Sequence, residues 1–154
     1  MRIAVFGDIH GHWVAFRDVV AELHAEEPLD LVLQCGDAQP FRNEADMEYM
    51  NCPQRFRVLG DFYKFHTGQE EFPVPLIFIG GNHEPWLLLD ENKGEVELAP
   101  NVNFMGRVGV YEVDDLKIAG VSGIYSDKYH NTPHLRVPYL PKHRGSADWK
   151  PPAD

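Results

Sequence analysis

Three short stretches of this sequence set carboxylate, imidazole and amide side chains beside glycine. They are GDIHGH with Asp8 and His10, GDAQ with Asp37, and GGNHE with Asn82, His83 and Glu84. Such a mixed oxygen and nitrogen donor set suits Mn, Fe, Zn or Ni rather than a soft thiolate metal. Asp8 and His10 stand two residues apart, so both turn toward one ion only where the backbone bends, a freedom that Gly7 and Gly11 offer. Asp37 carries two oxygens that can bridge a pair of ions about 3.5–4 Å apart, the separation of two-metal phosphoryl chemistry. An imidazole such as His83, beside a phosphate held there, can give a proton to the leaving oxygen.

Each residue also has a structural reading. A lone GD after a strand is usually a turn, and Asn82 alone reads as a cap for the helix that follows. Glu84 either accepts from a ring nitrogen or caps that helix start. His12 either packs at a helix start or supports the ligands, while His24 and His66 read as structural. What favours a metal site is that all three stretches follow apolar runs.

Those runs are RIAVF at 2–6, LDLVLQ at 29–34 and PLIFI at 75–79, read as parallel strands. Trp13, Phe16, Val19, Val20 and Leu23 recur at helical spacing between the first two, which makes a strand, helix, strand unit. Loops beyond the carboxyl ends of neighbouring parallel strands converge, and open α/β sheets bind ligands there. RNEADMEYM reads as a short helix capped by Asn43, with Asp46 three positions on. The aromatic residues at 56, 62, 63 and 65 suggest a covering segment, PWLLLDEN a short helix, and VNFMG a fourth strand. VGVYEVDDLKIAGVSG reads as a hairpin turning at Asp114-Asp115, with Val108, Val110 and Ile118 in alternation.

With 154 residues and 44% apolar side chains, the chain is long enough for one domain with a real core. It contains no signal-peptide pattern and no apolar run of membrane-spanning length, so a cytoplasmic location is the default expectation. Cys35 and Cys52 match no zinc or disulfide spacing, and Cys35 reads as a small buried strand residue. A net charge of −10 argues against a surface that coats nucleic acid generally. The charge is uneven, at −11 over residues 1–100 and +1 over 101–154. Residues 124–150 interleave five cations with Tyr125, Tyr129, Tyr139 and Trp149 and carry a local +3, a pattern that fits phosphate contacts with base stacking or a plain solvated loop.

Assembled, these residues resemble the calcineurin-like metallophosphoesterase family, whose pattern runs D-x-H, G-D, G-N-H-E, a lone His and G-H-x-H. The first three blocks stand here as DIH at 8–10, GD at 36–37 and GNHE at 81–84. The sequence is more closely similar to the N-terminal catalytic region of RNA lariat debranching enzymes. That similarity lies in CGDAQPFRNEADMEYM at 35–50, YKFHTGQ at 63–69, PLIFIGGNHEPW at 75–86, APNVNFMG at 99–106 and IAGVSGIY at 118–125.

The resemblance implies an α/β sandwich of the metallophosphoesterase fold, represented by its N-terminal portion: a partial core over 1–123 and a basic, aromatic segment over 124–154 that serves as a substrate-recognition insertion. It implies two divalent ions (Mn, Fe or Zn), one held by Asp8, His10 and Asp37 and the other by Asp37 and Asn82. It further implies His83 and Asp37 as the catalytic pair, with in-line attack on the phosphodiester by a two-metal-activated hydroxide. Arg42, Asn43 and Glu44 either lie near substrate or form a salt-linked helix start. Glu84, Tyr125, Lys128, His130 and Arg136 complete the candidate substrate contacts.

Two departures matter. Asp8 stands where many eukaryotic debranching enzymes carry cysteine, which favours harder ions. The later His and G-H-x-H are absent, so the chain is expected to be a partial module whose apolar sheet face is exposed, or covered by self-association or by a missing C-terminal half. The implied activity is phosphodiester hydrolysis, including the 2′,5′ branch linkage of RNA, with nuclear residence for a eukaryotic debranching-type protein. The alternatives are a small-nucleotide or general phosphodiesterase and a non-catalytic scaffold.

Overall fold

A computed structural model describes residues 1–48, 50, 55, 57–91 and 94–125. Lys128, His130 and Arg136, together with most of the basic, aromatic segment, lie outside the described residues, as do Cys52 and Phe56. Four parallel strands, β1 (Ile3–Phe6), β2 (Leu31–Gln34), β3 (Leu76–Phe78) and β5 (Val102–Phe104), form one sheet. β4 (Val96–Ala99) closes its edge antiparallel to β5. Phe6 pairs with Gln34, Gln34 with Phe78 and Phe78 with Phe104, so the carboxyl ends of β1, β2 and β3 are level. Whatever follows these strands emerges along one rim.

Strand alternation sends side chains to two cores. Ala4, Phe6, Val32, Leu76, Phe78, Val102 and Phe104 face the larger one, where α1 (Trp13–Glu26) presents Trp13, Phe16 and Val20. Phe62 and Phe65, on and beside α2 (Tyr63–His66), are fully buried there, and Phe62 lies 4.7 Å from Trp13 between ring centroids. α3 (Trp86–Asp90) adds Trp86 and Leu89. The covering role expected of the 51–74 stretch is thus carried by these rings. Among the described residues, no helix is long and apolar enough to cross a membrane.

The opposite sheet face packs Leu31, Ile77 and Met105 against a hairpin of β6 (Val108–Val113) and β7 (Leu116–Val121). The expected alternation is corrected here. Ile118 pairs with Tyr111, so Tyr111, Val113 and Ile118 face the sheet, whereas Val108 and Val110 point away at 72% and 61% exposure. Gly109 and Gly120 pair across the hairpin over Met105, and a Cβ on either would lie 2.5 Å from a Met105 atom. Two strands cannot cover five, and Val5 on β1 stays 61% exposed. Cys35 is exposed as well, contrary to expectation, because β2 ends at Gln34 and Cys35 lies in the turn beyond it.

The sequence pattern contained no sign of β4. Its four residues, Val-Glu-Leu-Ala, show little strand preference, and it pairs on one side only, with an irregular register between Glu97 and Ala99. α1 is also capped unexpectedly. His12 occupies the N-cap position, exposed and without a capping side chain, and Asp61 accepts from Trp13 N–H at 2.6 Å and Val14 N–H at 3.2 Å. A carboxylate from a distant loop thereby satisfies helix donors that local sequence leaves open. His24 and His66 are structural, bonding Leu29 N–H and the Leu98 carbonyl.

Candidate metal centre

The turn after β2 is built first, from its own strand. Gln34 is buried and its amide grips Gly36 at both ends, accepting Gly36 N–H at 3.0 Å and donating to the Gly36 carbonyl at 2.6 Å. Gly36 sits at φ +108°, a conformation that side chains resist, and this swings Asp37 out over the rim. The turn after β1 then lies along it. Asp8 N–H donates to the Gly36 carbonyl, His10 N–H to the Asp37 carbonyl and Gly11 N–H to the Ala38 carbonyl, at 3.1, 2.9 and 3.2 Å.

Four residues of these two turns, Asp8, His10, Asp37 and Gln39, adopt left-handed backbone angles with φ between 45° and 55°. Such angles cost non-glycine residues about 1–2 kcal/mol each. Of the two glycines expected to permit the bend, Gly11 does adopt φ +80°, while Gly7 has open space around it and no positive φ; Asp8 and His10 make the rest of the bend themselves.

The outcome is convergence. Asp8, His10 and Asp37 each offer a ligand atom, and these atoms lie within 4.8 Å of one another. His10 Nε2 is 3.9 Å from Asp8 Oδ1. Two carboxylates brought together at an exposed rim repel unless a cation lies between them, and one imidazole beside them completes a donor set for a borderline divalent ion. The arrangement fits a metal.

The third turn joins from β3. Asp37 Oδ1 accepts Asn82 N–H at 2.8 Å and His83 N–H at 3.0 Å, which fixes the carboxylate and leaves Oδ2 for a cation. His83 reaches the same place, with its ring centroid 5.6 Å from that of His10. Asn82 is exposed at the rim.

Glu84 departs from both of its expected roles. It is 3% exposed and its carboxylate accepts Ala38 N–H at 2.9 Å, Gln39 N–H at 2.8 Å and Gly81 N–H at 3.1 Å. It clamps the second turn to the third. Burial pushes its carboxyl up to about 7, opposed by the three N–H donors and reinforced by the nearby charge of Asp37. The hairpin end ties in too, as Gly80 N–H donates to Ser122 Oγ and Ser122 Oγ–H to the Gly106 carbonyl. Gln34, Gln39 and Ser122 escaped the sequence pattern. Gln34 alone carried a signal, a polar side chain ending an otherwise apolar strand.

The RNE stretch is placed as a salt-linked helix start. Asn43 caps a single 3-10 turn over Glu44–Met47 by accepting Ala45 N–H, and Glu44 is exposed. Arg42 forms a two-pronged pair with Asp46 at 2.9 and 2.8 Å, and its own N–H also donates to Asp46. Burial raises the Asp46 carboxyl, but the Arg42 side-chain and backbone hydrogen bonds outweigh it and the net shift is downward.

A carboxyl made more acidic by folding contributes stability that is present above its unfolded value and lost as pH falls through the folded one. Asp46→Asn is expected to cost about 1–2 kcal/mol at pH 7, and to flatten the decline in urea midpoint below about pH 4. Urea melts of both proteins across acid pH check this. Tyr125 is exposed at the end of the described chain.

Comparison with known proteins agrees with this geometry. The family described as calcineurin-like phosphoesterase matches residues 1–150. The chain is 38% identical over 143 residues to a lariat debranching enzyme of Arabidopsis thaliana, covering 90% of this chain and 34% of that protein. It is 38% identical over 140 residues to the lariat debranching enzyme of Mus musculus, covering 90% and 26%. With lariat debranching enzyme A of Xenopus laevis the identity is 39% over 142 residues, covering 90% and 27%. The chain thus spans about a quarter to a third of the length of these curated relatives.

Proposed function

The chain belongs to the calcineurin-like phosphoesterase family, and from that premise we propose that it hydrolyses phosphodiesters with two divalent cations (Mn, Fe or Zn), acting on the 2′,5′ linkage of branched RNA. The observation that carries this reading is the convergence of Asp8, His10 and Asp37 ligand atoms within 4.8 Å at the level ends of β1 and β2. Bound there, divalent cations would supply Lewis-acid activation of water and charge neutralisation at phosphate. Asp8, His10 and Asp37 would hold one ion, and Asp37 and Asn82 would hold the other. His83, close to His10, hands a proton to the departing 2′ oxygen. The branched substrate is supported by the debranching relatives.

Segment 124–154, with Tyr125, Lys128, His130 and Arg136, is the proposed recognition insertion, and its local positive charge suits a polyanion that the acidic body repels. A further layer, from a second copy or from additional polypeptide, covers the outer hairpin in the working protein. Val5, Val108, Val110 and Val121, at 61–72% exposure, support this.

The test is cleavage of a short RNA bearing one 2′,5′ branch among 3′,5′ linkages, in Mn²⁺. Release of the branch strand alone is the expected result. Equal cutting of both linkages would support a general phosphodiesterase instead, and stoichiometric metal with no cleavage of either would support a scaffold.

A further inference from the structure

We propose that Gln39 is a positioning residue for His10: its side-chain amide decides which ring nitrogen carries the proton and turns over when a cation arrives. The proposal rests on the reading of His10 as a metal ligand. Gln39 is 7% exposed and held at φ +55°, a backbone angle it keeps because its N–H is donated to Glu84 Oε2 at 2.8 Å and its carbonyl accepts Phe41 N–H at 2.9 Å. That posture carries its amide nitrogen to 3.1 Å from His10 Nδ1. The other ring nitrogen, Nε2, is the one 3.9 Å from Asp8 Oδ1 and is left to meet a cation.

A neutral imidazole has one N–H and one lone pair, and each nitrogen's state is set by what its opposite number bonds. With the amide NH₂ presented to it, Nδ1 is the acceptor, so the ring proton sits on Nε2 and points toward Asp8. That suits the turns without a cation, because the N–H softens the meeting of two carboxylates. A cation needs the Nε2 lone pair, so the proton must reappear on Nδ1, exchanged through solvent with no change in the ring's charge. Only an acceptor can then sit at Nδ1, and a half-turn of the Gln39 amide supplies its Oε1.

Metal-binding histidines commonly lean on a carboxylate or a backbone carbonyl, which are fixed acceptors. An amide, which carries both a donor and an acceptor, serves both states. The same residue links all three turns, since Glu84 from the third holds the Gln39 backbone in the second, and the Gln39 side chain holds His10 in the first.

The experiment is ¹⁵N spectroscopy of the His10 ring in the whole chain, alone and with Zn²⁺, for wild type, Gln39→Met and Gln39→Glu, with Zn²⁺ affinity measured in parallel. Wild type is expected to show Nε2–H alone and Nδ1–H with Zn²⁺. Gln39→Glu, which keeps the shape, is expected to show Nδ1–H before metal is added and to bind Zn²⁺ more tightly. Gln39→Met is expected to lose the Nε2–H preference and to bind about 10–100-fold more weakly, its backbone amide spectrum reporting the fold. Zn²⁺ binding to His10 in wild type with the tautomer and affinity unchanged in both variants would overturn the role of Gln39 alone. No Zn²⁺-dependent change at His10 in any protein would overturn the metal-site reading beneath it.

Discussion

Asp37→Asn is expected to leave the fold standing while removing the metal. The asparagine carbonyl can still accept Asn82 N–H and His83 N–H, as Asp37 Oδ1 does at 2.8 and 3.0 Å, so the third turn keeps its anchor. Asparagine also tolerates the φ of +54° at this position. What disappears is the negative charge that would hold a cation beside Asp8 and His10. Bound Mn²⁺ per chain should fall far below the wild-type ratio, and turnover of bis-p-nitrophenyl phosphate should drop by about three orders of magnitude, the several kcal/mol that Lewis-acid stabilisation contributes. The melting temperature should move by only a few degrees. Elemental analysis and thermal melts on the same sample decide the matter, and an unchanged metal ratio would remove Asp37 from the centre.

The second large effect belongs to Gly81. A Cβ there would lie 2.6 Å from Asp37 N and 2.8 Å from Asp37 Cγ, with Oδ1 closer still. The obstacle is backbone and a pinned carboxylate, neither of which can rotate away. Gly36 presses from the other side, since a Cβ on it would meet Gly81 N at 3.0 Å. Gly81→Ala must therefore push two turns apart, at about 2–3 kcal/mol for overpacking, and move Asp37 off the ligand position. Gly7→Ala is the control, because that position has open space and no positive φ, and it should be close to neutral. Denaturant melts and Mn²⁺ titrations of the pair separate a steric cost at the junction from a general cost of replacing glycine.

These outcomes bear on how far the fold was legible beforehand. Apolar runs over 2–6, 29–34 and 75–79 announced a parallel sheet, because strands covered mainly by other elements draw on few residue types, and the level register made their polar sequels converge. Helix α1 announced itself by its stripe. What stayed hidden was set by contacts distant in sequence. Asp61 caps a helix 47 and 48 positions before it, and Glu84 serves N–H groups 45 and 46 positions away. Neither residue type distinguishes such a role from exposure to water. β4 went unseen because an edge strand is defined by its partner more than by its own side chains. The hairpin was found but turned over, since Val108, Val110, Tyr111 and Val113 are all suited to a core and only pairing with Ile118 selects among them.

The ladder between the first two turns has a consequence for the order of events in the life of the chain. Local bonds such as Gln34 to Gly36 shape single turns, but the bonds that bring the turns together cross from one strand end to another: Asp8 to Gly36, His10 to Asp37, Asp37 to Asn82 and Glu84 to Ala38. No single stretch emerging during synthesis brings Asp8, His10 and Asp37 together, because the first and second turns are joined by those crossings. A cation captured there would therefore come after three strands have docked, as a late acquisition that rewards finished architecture rather than a template that guides it.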